Sequence, residues 1–190
     1  MDYKTLKKRL LSIPNQEHQA LFCTIYACMA RVGEIVRGRV NKTRGLEVED
    51  GCSFKNKLEL HLRTEKTGKP RKVILFRNRE AWLIDIIEAW ARHKGSGELF
   101  PFSTSWAEKL FKRYFPEISS NRGGDKMGSK HTVHWLRGWR YTHYRRGNVT
   151  GKKVESVVAS KIGGWVSSAT PERCYDFTSI EDFEKELENS

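Results

Sequence analysis

The chain has little of what most small extracellular or membrane proteins depend on. Its four cysteines (Cys23, Cys28, Cys52, Cys174) are scattered with no C-x-x-C pair, so neither a zinc site nor a disulfide framework is indicated, and free thiols in a reducing compartment are expected. No stretch approaches the roughly 18 apolar residues that a membrane span needs. The first residues, MDYKTLKKRL, lack the apolar centre of a signal peptide. There is no internal repeat and no low-complexity tract. The sequence therefore reads as soluble, intracellular and free of membrane association. Clustered carboxylates are also scarce. Glu47, Glu49 and Asp50 fall together in a loop-like stretch without a nearby catalytic lysine, which argues against a nuclease that holds Mg²⁺.

What the chain has in excess is positive charge. Its 190 residues include 35 Lys and Arg against 23 Asp and Glu, a formal net charge of +12. Such a density suits an anionic polymer as partner, nucleic acid above all. The excess is uneven: residues from Asp176 to Ser190 hold six acids and a single Lys, so the C-terminus is a surface of opposite sign. A chain of this length can bury a core in one domain, with or without a small appendage, unaided by metal or disulfide.

The apolar periodicity predicts a mostly helical α+β protein. Leu6, Leu10 and Leu11 give a short amphipathic start that Pro14 breaks, and a strong helical segment runs from about Glu17 to Met29. Residues 58–64 alternate and 71–76 are branched and apolar, with Lys66-Thr67-Gly68-Lys69-Pro70 between them, so a β-hairpin with a basic tip is expected. Trp82, Ile86, Ile87 and Trp90 set a helix over 81–92, and Ser105 with Glu108 suggests a capping box for a helix to about Tyr114. Residues 116–130 read as a polar loop. Helices follow over 132–146 and 153–162, then Gly163-Gly164, then a short helix from Pro171 and an acidic amphipathic tail over 179–187.

Several separated residues could carry chemistry together. In order they are Arg31 in A-R-V-G-E, Lys66 at the hairpin tip, His134-Trp135-Leu136-Arg137, Gly164-Trp165, and Tyr175 ten residues later. This order resembles the catalytic domain of the tyrosine recombinase (phage-type integrase) family: an Arg, a hairpin Lys, H-x-x-R, then G-H or G-W, then Tyr. The resemblance spans residues 15–178, and Trp165 stands where most members have His. A second H-x-x-R, His143-Tyr144-Arg145-Arg146, has the same spacing. His134 and Arg137 match better, because H-W-L-R followed by Gly147 resembles the family's H-x-L-R helix and its closing glycine.

The resemblance implies a metal-independent, cofactor-free enzyme that cuts and rejoins DNA through a 3′-phosphotyrosine on Tyr175. Chemically the set is suitable. Two guanidiniums, Arg31 and Arg137, can bind the non-bridging oxygens with charge-assisted bonds that strengthen as negative charge gathers. A phenol with a pKa of about 10 needs nearby cations and a proton acceptor, for which His134 is the candidate. Lys66, or Lys69 as runner-up, could protonate the departing 5′ oxygen. Trp165 can donate an indole N–H but cannot accept a proton. Lys69, Arg71 and Arg140 are expected to contact DNA. Taken alone, Arg31 would be expected to pair with Glu34, its i,i+3 neighbour, as a surface salt bridge.

By this reading residues 1–178 form the catalytic domain and 179–190 an acidic tail helix, with the family's N-terminal core-binding domain expected to be absent. A non-catalytic DNA-binding module and a type IB topoisomerase-like strand transferase are the alternatives. The resemblance implies a setting among viral genome integration, mobile-element integration and resolution of DNA dimers. The tail is expected to dock on another copy in DNA-dependent dimers or tetramers. Truncation after Phe177 should then weaken the pairing of two DNA sites on native gels while leaving single-strand cleavage intact. Unchanged assembly would reject that role.

Overall fold

In the computed structural model the described residues are 1–37, 44–64, 69–118, 132–165 and 167–175, without the side chains of 132 and 173–175. Helices α1 (Tyr3–Leu11), α2 (Gln16–Ala27) and the single-turn α3 (Val32–Ile35) precede a sheet of β1 (Gly51–Ser53), β2 (Lys57–Arg63) and β3 (Pro70–Phe76). Five helices follow: α4 (Arg77–Lys94), α5 (Thr104–Tyr114), α6 (Trp135–Arg145), α7 (Ser156–Gly163) and α8 (Ala169–Tyr175). The fold is α+β and mostly helical, as expected. Among the described residues no helix is long and apolar enough to cross a membrane.

Helix α2 is the axis of the core. Asn15 caps its first turn by accepting from the His18 backbone N–H at 2.9 Å. From Ala20 to Ala27 every residue is buried, as befits a helix enclosed on all sides. It packs against α1, α3, α4 and α6. Thr24, buried in this apolar run, returns its hydroxyl proton to the Ala20 carbonyl at 2.7 Å, so no donor is stranded.

The predicted hairpin forms with Leu58 opposite Leu75 and Leu60 opposite Val73. Leu58, Leu60, Leu62, Val73 and Leu75 all point into the core, the period-2 pattern of a half-covered sheet. The Thr64 N–H donates to the Lys69 carbonyl at 2.9 Å where the two strands approach the tip. The tip itself, with Lys66, lies outside the described residues. Strand β1 adds a third, antiparallel member on the far side of β2.

Two boundaries differ from the sequence expectation. Helix α5 is capped by Ser103, whose side chain accepts from the Trp106 N–H at 3.2 Å, not by Ser105. Glu108, expected in a capping box, is buried and accepts from the Val133 N–H at 3.2 Å. Leu11 stays 46% exposed although Leu6 and Leu10 are buried. The tail helix expected over 179–187 and most of the loop over 116–130 lie outside the described residues.

Arg140 is a clear correction. It was expected on a DNA-facing surface and is fully buried on α6. Its two terminal nitrogens meet both oxygens of Glu80, and Nη2 also donates to the Tyr144 hydroxyl at 2.9 Å. Burial works against the charged form, but the adjacent Glu80 carboxylate holds the guanidinium well above its ordinary pKa. Glu80 sits where the helical path of α4 is broken (φ −137°, ψ 34°), which turns its carboxylate into the core. Since the charge is spent inside, it has none to offer a phosphate. Glu80→Ala would strand a buried cation and should cost roughly 3–5 kcal/mol in urea unfolding, whereas Glu80→Leu combined with Arg140→Met should cost far less. Equal losses in the two variants would contradict this account.

Candidate active site

Two chain turns face one another. The first is the junction of α2 and α3. After Cys28, Met29 takes a left-handed conformation (φ 50°), reversing the chain so that Arg31 becomes the residue before α3. The second is the end of α7, where Gly164 (φ 73°) closes the helix, with its own N–H to the Lys161 carbonyl and the Trp165 N–H to the Ser160 carbonyl at 3.0 Å.

The glycine pair is there for closeness as well as for turning. A Cβ on Gly163 would run into the Trp165 ring and come within 2.9 Å of Met29 Sδ. On Gly164 it would come within 2.7 Å of Arg71 Cδ. The Gly163-Gly164-Trp165 order therefore lets the indole fold back and lets Arg71 pass beneath the turn.

Two buried guanidiniums join the turns. Arg137, 1% exposed on α6, donates from Nη1 to the Met29 carbonyl at 2.5 Å and from Nη2 to the Gly163 carbonyl at 2.9 Å. The Trp165 ring covers the guanidinium, with its centroid 3.7 Å from Cζ, a stacking and cation–π contact. Arg71, on β3, donates from Nη1 to the carbonyls of Cys28 and Ile162, both at 2.9 Å, and from Nη2 to Glu34 Oε2 at 2.8 Å. Consecutive carbonyls of one turn are thus tied to consecutive carbonyls of the other. With its side chain only 7% exposed, Arg71 is a staple of this site and not the open DNA contact expected from sequence.

Arg31, Arg137 and Trp165 are brought together. Arg137 is bonded two residues from Arg31 and two from Trp165, and lies against the indole. Arg31 is the open member, its side chain 30% exposed, with Nη1 3.6 Å from Glu34 Oε1. Glu34, by contrast, is buried, and its Oε2 accepts from the Arg31 backbone N–H at 3.2 Å. The i,i+3 pair expected from sequence exists, but its acid belongs to the core.

His134 closes a 3₁₀ turn (Thr132–His134) immediately before α6 and is partly buried, three residues before Arg137. Tyr175 is the last residue of α8, which packs against α6; its side chain lies outside the description, as does Lys66. Lys69 is exposed beside the hairpin tip. Among the described residues no group of His, Cys, Asp and Glu could hold a metal ion.

The rival H-x-x-R is set aside by chemistry. His143 is buried, with Nε2 3.0 Å from the Met1 carbonyl and Nδ1 2.8 Å from the Tyr26 hydroxyl. A carbonyl only accepts, so Nε2 carries the proton and Nδ1 accepts from Tyr26. Burial, with help from the Arg140 charge, lowers the His143 pKa to about 4. It is a neutral core residue committed at both nitrogens.

Three features of the site are not legible in the sequence: the burial of Glu34, named there as a surface partner of Arg31; the stapling bonds of Arg71, named there as a DNA contact; and the left-handed Met29. Only the A-R-V-G-E spacing and the double glycine hinted at them.

Neither a protein-family model nor a curated protein matches the chain by sequence. Among the solved structures that resemble it in fold are two. One is the XerH site-specific recombinase bound to difH substrate in a pre-cleavage complex, with TM-score 0.66 and 17% identity, matching 97% of this chain and 51% of that one. The other is the Tn1549 transposon integrase in complex with transposon right end DNA, with TM-score 0.56 and 13% identity, matching 100% of this chain and 65% of that one. The chain thus spans about half to two thirds of the length of these proteins. At such identities the likeness is one of fold, and the fold is that of a tyrosine recombinase catalytic domain.

The neutral core histidine has a measurable consequence. A pKa lowered from 6.5 to about 4 means that the folded protein favours the neutral ring. Its contribution is complete above pH 6.5 and is lost as pH falls toward 4, by on the order of 3 kcal/mol. Thermal melts of the wild type from pH 7 to 4 should fall more steeply than those of His143→Gln; parallel curves would contradict the assignment.

Proposed function

We propose that the chain is the catalytic domain of a site-specific DNA recombinase or integrase that breaks and rejoins duplex DNA through Tyr175. The observation that carries this reading is the meeting of Arg31, Arg137 and Trp165, from three separate segments, at paired turns of a recombinase-type fold. Helix α8, which bears Tyr175, packs on the helix that bears Arg137. The basic body, within a chain of net charge +12, suits double-stranded DNA as partner.

In the proposed reaction the Tyr175 oxygen attacks phosphorus and the bond to the 5′ oxygen breaks. The phenolic proton passes to His134, and Lys66 protonates the departing 5′ oxygen, which leaves as a hydroxyl. Arg31, partly open, binds a non-bridging oxygen, where negative charge accumulates in the transition state, and Arg137 joins it once a guanidinium nitrogen leaves its Met29 or Gly163 carbonyl for the phosphate. Trp165 holds the plane of the Arg137 guanidinium and offers its indole N–H. Phosphodiester energy is conserved in the 3′-phosphotyrosine, so rejoining is the same steps reversed with a new 5′ hydroxyl, and no metal or cofactor enters.

Trapping tests this directly. On a nicked suicide duplex in EDTA, the wild type should become covalently attached to DNA, with the adduct mapping to Tyr175 and absent in Tyr175→Phe. Arg31→Ala should slow adduct formation about a hundredfold or more. Strand exchange between two duplexes would then separate a recombinase from a topoisomerase-like strand transferase. No adduct on a duplex that the protein demonstrably binds would favour a non-catalytic DNA-binding module.

A further inference from the structure

We propose that Arg71 is a positioning residue whose charge occupies the buried Glu34 carboxylate and so keeps the Arg31 guanidinium available for DNA phosphate. The inference rests on the reading of Arg31 as a phosphate ligand.

Glu34 has a side chain only 1% exposed, and two cations compete for it. Arg71 Nη2 stands 2.8 Å from Oε2, a full charge-assisted bond. Arg31 Nη1 stands 3.6 Å from Oε1, beyond hydrogen-bond range. The exposures follow the same order, 7% for the Arg71 side chain and 30% for that of Arg31. One arginine is thus the counterion of the carboxylate and the other a loosely held neighbour, partly open to solvent.

The arrangement has a clear failure mode. A buried carboxylate without a partner is costly, so it takes whatever cation is within reach. With Arg71 neutralised, Arg31 is the nearest remaining guanidinium and sits at the same carboxylate. Its side chain would turn inward onto Glu34, and the site would lose a phosphate ligand although Arg31 itself is unchanged. Removing the acid as well would release Arg31 again. Arg71 also carries two carbonyl bonds, so a purely structural role must be separated from the electrostatic one. Lysine at this position keeps the charge but lacks the fork that reaches both carbonyls and the carboxylate.

The test compares wild type, Arg31→Gln, Arg71→Gln, Arg71→Lys and Arg71→Gln combined with Glu34→Gln, by binding to a plain duplex across a salt series and by adduct rate on the nicked duplex, with circular dichroism to verify folding. The expected pattern is that Arg71→Gln behaves like Arg31→Gln, each with a salt slope flatter by about 1, the signature of one lost phosphate contact. Arg71→Lys and the double variant should return most of the slope and affinity. If Arg71→Gln does not fold, Arg71→Lys decides alone: near-wild-type binding supports the proposal, and a loss equal to that of Arg31→Gln overturns it. The proposal also falls if the double variant binds no better than Arg71→Gln, or if Arg31→Gln leaves binding unchanged. Absence of an adduct in the wild type, with the binding pattern intact, would instead overturn the catalytic reading and leave this one standing.

Discussion

The site depends on two buried guanidiniums that hold four backbone carbonyls. Arg71 takes Cys28 and Ile162, Arg137 takes Met29 and Gly163, and each bridges the same pair of turns. Bonds from a charged donor are worth about 1.5–3 kcal/mol each, and carbonyls at a reversing turn have few other partners away from water. With the packing of Ile162 and Trp165 on the cluster that holds Met29, these rungs fix the α2–α3 turn to the end of α7 and so set the relation between Arg31 and Trp165. Arginine suits both positions, because its planar fork spans two acceptors at once and its proton cannot be lost at any working pH.

The same rungs explain the neighbouring residue types. Met29 must adopt a positive φ for its carbonyl to reach Arg137. Gly163 and Gly164 must lack Cβ atoms for the indole and Arg71 to approach. Glu34 balances a charge that would otherwise be buried alone. A second buried pair, Glu80 with Arg140, anchors α6 to the start of α4, so the helix that presents Arg137 has a second fixed point three residues on. The chain uses several of its arginines to build the site and leaves Arg31 partly open toward it.

Much of this fold was legible in the sequence because it is periodic. Alternation in residues 58–64 and 71–76 gave the hairpin, and the helical repeats near 17–29, 81–92 and 132–146 gave three of its main helices. Strand β1 and helix α3 were not, since three or four residues are too few to carry a period. Exposure of charged residues was misjudged for a related reason. Arg71 and Arg140 look like surface residues until their partners are known, and Glu34 and Glu80 lie 37 and 60 residues away along the chain. The order Arg, H-x-x-R, Gly-Trp, Tyr was readable because it is linear. Its buried scaffold was not, because tertiary packing creates it.

The central claim is that these turns form a phosphate-binding catalytic cleft, and a structure of the protein bound to a nicked duplex would test it most directly. The account predicts the scissile phosphate at about 3 Å from guanidinium nitrogens of both Arg31 and Arg137, with the Tyr175 oxygen in line with the 5′ oxygen. A duplex seated on another face, with no phosphate near Arg31 and with Arg137 enclosed by carbonyls and indole alone, would contradict it.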